Sequence, residues 1–357
     1  PWLREHFGNP SSEHVIGRRA AEAVGEARAA VAGLLGAPPA ALFFTGCATE
    51  ANNLALRGVA RALRGRGRHL IISAVEHPSV TGPAERLRAG GWDLTVLPVD
   101  AYGRVDPQAL AAELRPDTVL VSVMLANNET GTLQPVAGLS ALTRPRGILL
   151  HTDAAQAVGK IPVDVDTLGV DLLTLAGHKF YAPKGVGALY VRPGTAIEPL
   201  LVGGGQELGL RPGTENVPHI VALGTAASLS AQNLEQESAR LRRLRDRLHD
   251  RLQAAIAGLR LNGHPEQRLP NTLNLSFPDV TGRALLDAVG DRIAASVGSA
   301  CHEDSGAVSG VLAAMGLPPE RARGAVRLSL GRFTRDGDIA RAADILRQAH
   351  ARLSPQD

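Results

Sequence analysis

Lysine is scarce in this chain. It has 357 residues and 38 Lys plus Arg, yet the lysines are Lys160, Lys179 and Lys184 alone. Codon bias explains an arginine excess, but it also acts as a filter. Arginine never gives up its proton at useful pH, whereas a partly buried lysine can do so and add to a carbonyl. Lys179 closes the stretch DLLTLAGHKFY, in which a strand-like run, Leu172 to Leu175, is followed by Ala176, Gly177 and His178. The carboxyl end of a strand is where α/β sheets place ligands. Lys179 is therefore a candidate for an imine with a carbonyl cofactor; the plainer reading is a surface lysine after a strand.

Other strand ends carry reactive residue types. Thr45-Gly46-Cys47-Ala48-Thr49-Glu50 joins a strand to a helix and offers free backbone N–H groups and the Thr49 hydroxyl to an anion. It is neither a Walker loop nor GxGxxG, which disfavours ATP and NAD, and Thr is also an ordinary helix cap. His77, beside Pro78, is placed to stack on an aromatic cofactor or move protons, or simply to make a structural hydrogen bond. Asn127-Asn128-Glu129-Thr130-Gly131 offers two carboxamides, or ordinary turn chemistry. In His151-Thr152-Asp153-Ala154-Ala155-Gln156, Asp153 precedes Lys179 as pyridoxal phosphate (PLP) requires: an acid facing the pyridine nitrogen keeps it protonated and makes the ring an electron sink. His151, Asp153 and His178 fit no zinc spacing, so no metal is expected.

Cys301 lies in the small, polar, glycine-flanked stretch SVGSACHEDSG, unlike a packed core, with His302 beside it. It is a candidate nucleophile, and Cys47 the structural alternative. A free thiol has a pKa of about 8.5, so Cys301 benefits from a neighbour such as His302 that lowers it. Arg327 alternates with apolar residues on a strand and suits bidentate carboxylate binding or a salt bridge. Together these residues describe a PLP site with an added thiol.

The elements that must position them follow a strand–helix rhythm. A helix is expected from Ser12 towards Leu35, with Val15, Ala20, Val24, Ala27, Val31 and Leu34 on one stripe, after a helix end and turn over residues 1–10. Strands are expected at 42–45, 69–73, 94–97, 119–124, 148–152, 172–175 and 188–191, the last antiparallel because no helical crossover fits before it. Continuous apolar runs imply strands covered on both faces. The fold class is therefore α/β: a mainly parallel seven-stranded sheet with helices on both faces, plus a smaller α+β domain. Gly203-Gly204-Gly205 opens a loop through Thr214, suited to close approach or plain flexibility. Helix is expected from Pro218 to about Leu259, its Arg-rich part reading as an ion-paired solvated face. The domain boundary falls near 235, giving a large domain over 1–235 and a small one over 236–357. The latter is expected to hold strands at 272–277, 293–296 and 326–330 and helices at 281–289, 307–315 and 336–353.

Composition excludes several classes. Aromatics are 3%, too few for base-stacking platforms, and the net charge is a mild +3, so nucleic acid is not expected as a partner. No apolar run approaches the about 20 residues of a membrane helix. Two cysteines make no disulfide framework, which fits the cytoplasm. No signal peptide is visible, although the chain starts at Pro1.

PSSEHVIGRRA, FFTGCATEANNLAL, SAVEHPSV, SVMLANNETGTLQPV, HTDAAQAVGKIPVDV, GHKFYAPKGVGALYVR, GGGQE, RPGTENVP, SVGSACHED and VRLSLGRFT stand in this order along the chain. In these motifs the chain resembles the cysteine desulfurases, class V aminotransferase-like PLP enzymes of the type I fold. The resemblance implies a homodimer with sites near the subunit interface. It implies that Lys179 forms the internal aldimine, Asp153 pairs with the pyridine nitrogen and Gln156 with the ring oxygen, and that His77 stacks on the ring and moves protons. It implies that Ala48, Thr49 and His178 hold the phosphate, with Thr214 reaching in from the other subunit, and that Asn128 and Arg327 engage the substrate carboxylate. Cys301 would attack the sulfur of L-cysteine, giving L-alanine and a persulfide passed to an acceptor or scaffold protein, as in iron–sulfur cluster or thio-cofactor assembly. The family's serine three residues before the lysine is Ala176 here, and its first strand with an Asn-Ala-Thr segment would precede Pro1. SVGSACHED, LPNTLNLS and Ala176 also resemble the selenocysteine lyases, which keeps L-selenocysteine as an alternative substrate. An ordinary aminotransferase has no need of Cys301, and a non-catalytic sulfur-carrier scaffold has no need of the full reactive set.

Overall fold

The computed structural model describes residues 1–298 and 308–354; Cys301 and His302 lie outside the described residues. The chain divides into two compact units. One comprises Pro1–Leu97, Pro107–Leu125 and Gln134–Leu234, the other Pro98–Asp106, Ala126–Leu133 and the chain from Glu235 onward. The second unit thus draws in two short segments, 98–106 and 126–133, distant in sequence from the rest of it.

The first unit is built on seven strands: β1 (Leu42–Thr45), β2 (His69–Ser73), β3 (Asp93–Leu97), β4 (Thr118–Ser122), β5 (Leu149–Asp153), β6 (Leu172–Ala176) and β7 (Gly187–Val191). Their order across the sheet is β1-β7-β6-β5-β4-β2-β3. β7 runs antiparallel to both β1 and β6, as the short β6–β7 connection demands, while the pairs from β6 to β3 are parallel. Every residue of β2, β4, β6 and β7 is buried, which explains why these strands read as continuous apolar runs. The helix Ala48–Leu63 packs against β4, β6 and β7. Its Ala51, Leu54, Ala55 and Val59 share a core with Leu70, Ile72, Leu120, Leu172 and Leu189.

The first helix begins at Val15, where His14 Nδ1 accepts the Gly17 N–H. Of the expected stripe, Ala20, Val24, Ala27 and Val31 are buried, with Ala23 beside them, whereas Val15 is 67% exposed and Leu34 is half-buried. Residues 2–5 form a single turn, closed by Glu5 N on Pro1 O at 2.7 Å, where a helix end was expected.

The second unit contains a three-stranded antiparallel sheet of β8 (Arg260–Asn262), β9 (Thr272–Ser276) and β10 (Ala325–Ser329), in the order β10-β9-β8. Residues 293–296, expected as a strand, form only an isolated bridge between Ser296 and Arg327. β8, at three residues, is too short to show a period. Leu241, Leu244, Leu248 and Leu252 recur at helical spacing on the long helix Val217–Ala255 and bury Leu273, Leu275, Val326 and Leu346 with them.

Candidate active site

β6 delivers Lys179. After Ala176 the chain makes a short 3-10 turn, Gly177–Phe180, and Tyr181 closes it at φ 77°. A bulky residue in the left-handed region is strained, and such strain gathers at functional turns. The turn buries Phe180 and leaves His178 and Lys179 on the surface. On the neighbouring strand, Asp153 is the last residue of β5 and is buried. Its Oδ1 accepts the Ala155 N–H at 2.9 Å and its Oδ2 the Asn52 Nδ2–H at 2.7 Å. Burial pushes the Asp153 carboxyl up; those two hydrogen bonds and the charges of His77 and Lys179 pull it back.

β2 delivers His77, which caps the helix Pro78–Ala89. Its Nδ1 accepts the Ser79 N–H at 3.1 Å and lies 2.8 Å from Ser79 Oγ. Burial lowers the imidazole pKa, Asp153 opposes that, and Lys179 adds to it. Lys179, Asp153 and His77, from three strand ends, thus lie within one another's fields.

All three lysines of the chain act on one place. The His178 imidazole is lowered by burial and then by Lys179, Lys184 and Lys160. Lys160 is partly exposed as a residue, but its ammonium is inside, and burial and Lys179 bring it down to about 7. Its Nζ donates to the Gln156 carbonyl at 2.7 Å and to Gln156 Oε1 at 3.4 Å. The cluster is a field for an anion.

The helix Ala48–Leu63 points its start at β7. Cys47, at the cap position, supplies no side-chain cap, which leaves the helix's first amides without a side-chain acceptor among the described residues. The preceding turn is braced by Gly46 N donating to Glu50 Oε2 at 2.8 Å, and by Arg211 pairing with Glu50 at 2.8 Å. A Cβ on Gly187 would stand 2.9 Å from the Cys47 carbonyl carbon and 3.0 Å from Ala48 N, so this glycine lets β7 meet the helix start. Thr49 is exposed there. An amine, a buried acid, a histidine and an uncapped helix start beside clustered lysines suit a phosphorylated pyridine aldehyde; these residues fit PLP.

In the second unit, Arg327 lies on β10 and its Nη1 donates to the Asn128 carbonyl at 2.9 Å. Neighbouring Glu129 is buried; its Oε2 accepts from Ser309 Oγ at 2.5 Å. Thr214 is exposed in the loop before the helix Val217–Ala255. Among the described residues no group of three or more His, Cys, Asp or Glu is placed to hold a metal ion, and no helix is long and apolar enough to cross a membrane.

Residue typing alone passed over Asn52, Ser79, Lys160 and Glu76. Glu76 is buried beside His77, accepts from Ser73 Oγ at 2.5 Å and Met124 N at 2.8 Å, and is pushed up to about 8 by burial. Only Lys160 carried a signal, its rarity.

A buried acid and an exposed strand-end lysine on a mainly parallel sheet define a PLP-type fold, and comparison with known proteins supplies the family. The class V aminotransferase family matches residues 1–341. The chain is 46% identical to cysteine desulfurase IscS 1 of Archaeoglobus fulgidus, across 97% of this chain and 90% of that protein. A solved NifS-like protein superposes with a TM-score of 0.91 at 37% identity, covering 99% of this chain and 93% of the other. A structure described as SspA in complex with cysteine superposes with a TM-score of 0.82 at 36% identity, covering 94% of each chain. The chain belongs to the class V aminotransferase family, in its cysteine desulfurase branch.

Proposed function

We propose that this protein is a PLP-dependent cysteine desulfurase that removes sulfur from L-cysteine, releases L-alanine and hands the sulfur on from a cysteine persulfide. The observation that carries the reading is the hydrogen-bonded link of Asp153 to His77 through Asn52 and Ser79, at the ends of β5 and β2 and within the field of Lys179 after β6. Bound PLP withdraws electrons from the substrate Cα. Lys179 Nζ anchors the cofactor. Asp153, whose carboxyl burial pushes up while Asn52 and the Ala155 amide pull it back, would face the cofactor's pyridine nitrogen. Gln156 would serve the ring oxygen, and His77 would lie against the ring. The phosphate falls to Ala48, Thr49 and His178, with Thr214 contributed by a second copy. Arg327 and Asn128 are assigned the substrate carboxylate.

Cys301 is the nucleophile. Its thiolate bonds to the substrate sulfur, the Cβ–S bond breaks, and its electron pair stays with the carbon skeleton, which takes up a proton to become the alanine methyl. The sulfur remains on Cys301 as a persulfide for an acceptor protein. A thiol that must stay reduced between turnovers supports a cytoplasmic setting, and the exposed Leu201, Val202 and Leu208 before Thr214 support a homodimer. A relative solved with cysteine bound supports the substrate.

Borohydride reduction followed by peptide mapping tests the anchor: the label is expected on Lys179, and a label elsewhere refutes the assignment. Cys301→Ala is expected to keep the cofactor's visible band and lose alanine formation from L-cysteine. Assaying L-selenocysteine alongside decides between sulfur and selenium.

A further inference from the structure

We propose that Asn52 is a positioning residue that orients Asp153 and fixes the tautomer of His77 through a single hydrogen-bonded chain running over Ser79. The desulfurase reading takes from Asn52 and Ser79 only that they link Asp153 to His77 and assigns neither a role; the proposal rests on that reading only for what His77 and Asp153 face.

Asn52 is fully buried in the helix Ala48–Leu63. Its Nδ2 lies 2.7 Å from Asp153 Oδ2 and 2.8 Å from Ser79 Oγ. A carboxamide nitrogen has two hydrogens and accepts nothing, so both are committed, one to each oxygen. Turning the amide over would aim Oδ1 at a carboxylate oxygen, which fixes its orientation. Ser79 Oγ, accepting from Asn52, has its own hydrogen left to give, and His77 Nδ1 is 2.8 Å away. The Ser79 backbone N–H donates to that same nitrogen at 3.1 Å.

Two donors aimed at Nδ1 require a lone pair there. The neutral ring therefore carries its proton on Nε2, and His77 presents an N–H donor on that side. Protonating Nδ1 would break both bonds, which acts in the same direction as the burial that already disfavours the imidazolium. Among the described residues, the groups whose charges face this ring are Asp153 and Lys179. Asn52 Oδ1 has no hydrogen-bond partner among the described residues although it is buried. Such an orphan is unfavourable, so an amide at this position is poorly explained by packing and well explained by what its nitrogen does. An aspartate at 52 would set a second carboxylate against Asp153 and take the Ser79 hydrogen, reversing the chain.

The test is long-range 15N–1H NMR of histidine-labelled full-length protein, recorded with and without PLP, with His77 assigned by loss of its signals in His77→Gln. Wild type is expected to show the Nε2–H tautomer at His77. Asn52→Ala, which removes no atom touching His77, is expected to give a tautomer mixture and move the His77 midpoint upward by roughly half a unit or more. Ser79→Ala, a smaller change, is expected to do the same and serves if Asn52→Ala does not fold. An Nδ1–H tautomer in wild type overturns the proposal, as does a tautomer and midpoint unchanged in either variant. Because the spectrum of cofactor-free protein reports the chain directly, these outcomes are separate from a failure of wild type to form alanine, which would count against the desulfurase reading instead.

Discussion

At the scale of single residues, the buried titratable groups around the candidate site make opposite demands on pH. Glu76 is pushed up to about 8 in the fold, whereas an unfolded chain titrates it near its ordinary value of about 4.3. Between those values the unfolded state binds fewer protons, so this residue lowers stability as pH rises and the loss is complete above pH 8. Glu76→Gln keeps an oxygen acceptor for Ser73 and Met124 while removing the titration. Its melting temperature is expected to match wild type near pH 5 and exceed it near pH 9, by an amount that corresponds to a few kcal/mol at most. Lys160 works the other way. Its ammonium is brought down to about 7, so between pH 7 and its ordinary value the unfolded state holds more protons and stability rises with pH. Lys160→Arg cannot shed its charge. The stability gap between wild type and this variant is expected to widen from pH 6 to pH 9, towards about 1.4 kcal/mol per unit; a constant gap would show that Lys160 stays charged. The three lysines among 38 basic residues all bear on His178, and burial draws the Lys160 ammonium down.

At the scale of elements, the sequence was most readable in the strands of the first unit, above all β2, β4, β6 and β7, which are buried throughout. The seven strands of the first unit lie where apolar runs predict them, and the antiparallel β7 followed from the brevity of the link before it. It was least readable where packing sets the outcome. Residues 293–296 are apolar enough for a strand, yet only Ser296 bridges to Arg327. Arg260–Asn262 becomes β8 because β9 offers a partner edge, which no local pattern records. The hydrogen-bonded set Asp153, Asn52, Ser79 and His77 was equally hidden, since Asn and Ser inside helices read as surface filler. The junction of β7 with the helix start is the element-scale test. Gly187→Ala would push a methyl to within 2.8 Å of the Leu175 carbonyl oxygen and 3.0 Å of Ala48 N. Overpacking of this kind costs about 1–3 kcal/mol. The displaced helix start is expected to weaken PLP retention, measured by absorbance titration, by more than the fall in melting temperature alone implies. Equal retention would remove the helix start from the phosphate cradle.

At the scale of the whole molecule, the proposed homodimer gives an account of a surface that the first unit alone leaves unexplained. Leu201, Val202 and Leu208 are 55%, 97% and 81% exposed in the loop leading to Thr214. Glu207 and Leu208 hold φ values of 48° and 57°, a conformation costly for these residue types. That loop is nonetheless fixed: Glu207 is buried, pairs with Arg28 at 2.6 Å and accepts the Phe44 N–H at 2.8 Å. In the proposed dimer, a strained segment anchored on its polar side and apolar on its exposed side would present leucine to the second copy. Leu208→Glu places a charge on that surface without touching the Arg28–Glu207 anchor. It is expected to shift the protein from dimer to monomer in sedimentation equilibrium and, because Thr214 is proposed to complete the partner's phosphate site, to lower PLP occupancy in parallel. The two readouts should follow the same protein-concentration dependence, with added protein restoring both. A variant that remains dimeric at nanomolar concentration would show that the exposed leucine faces something other than a second copy of this chain.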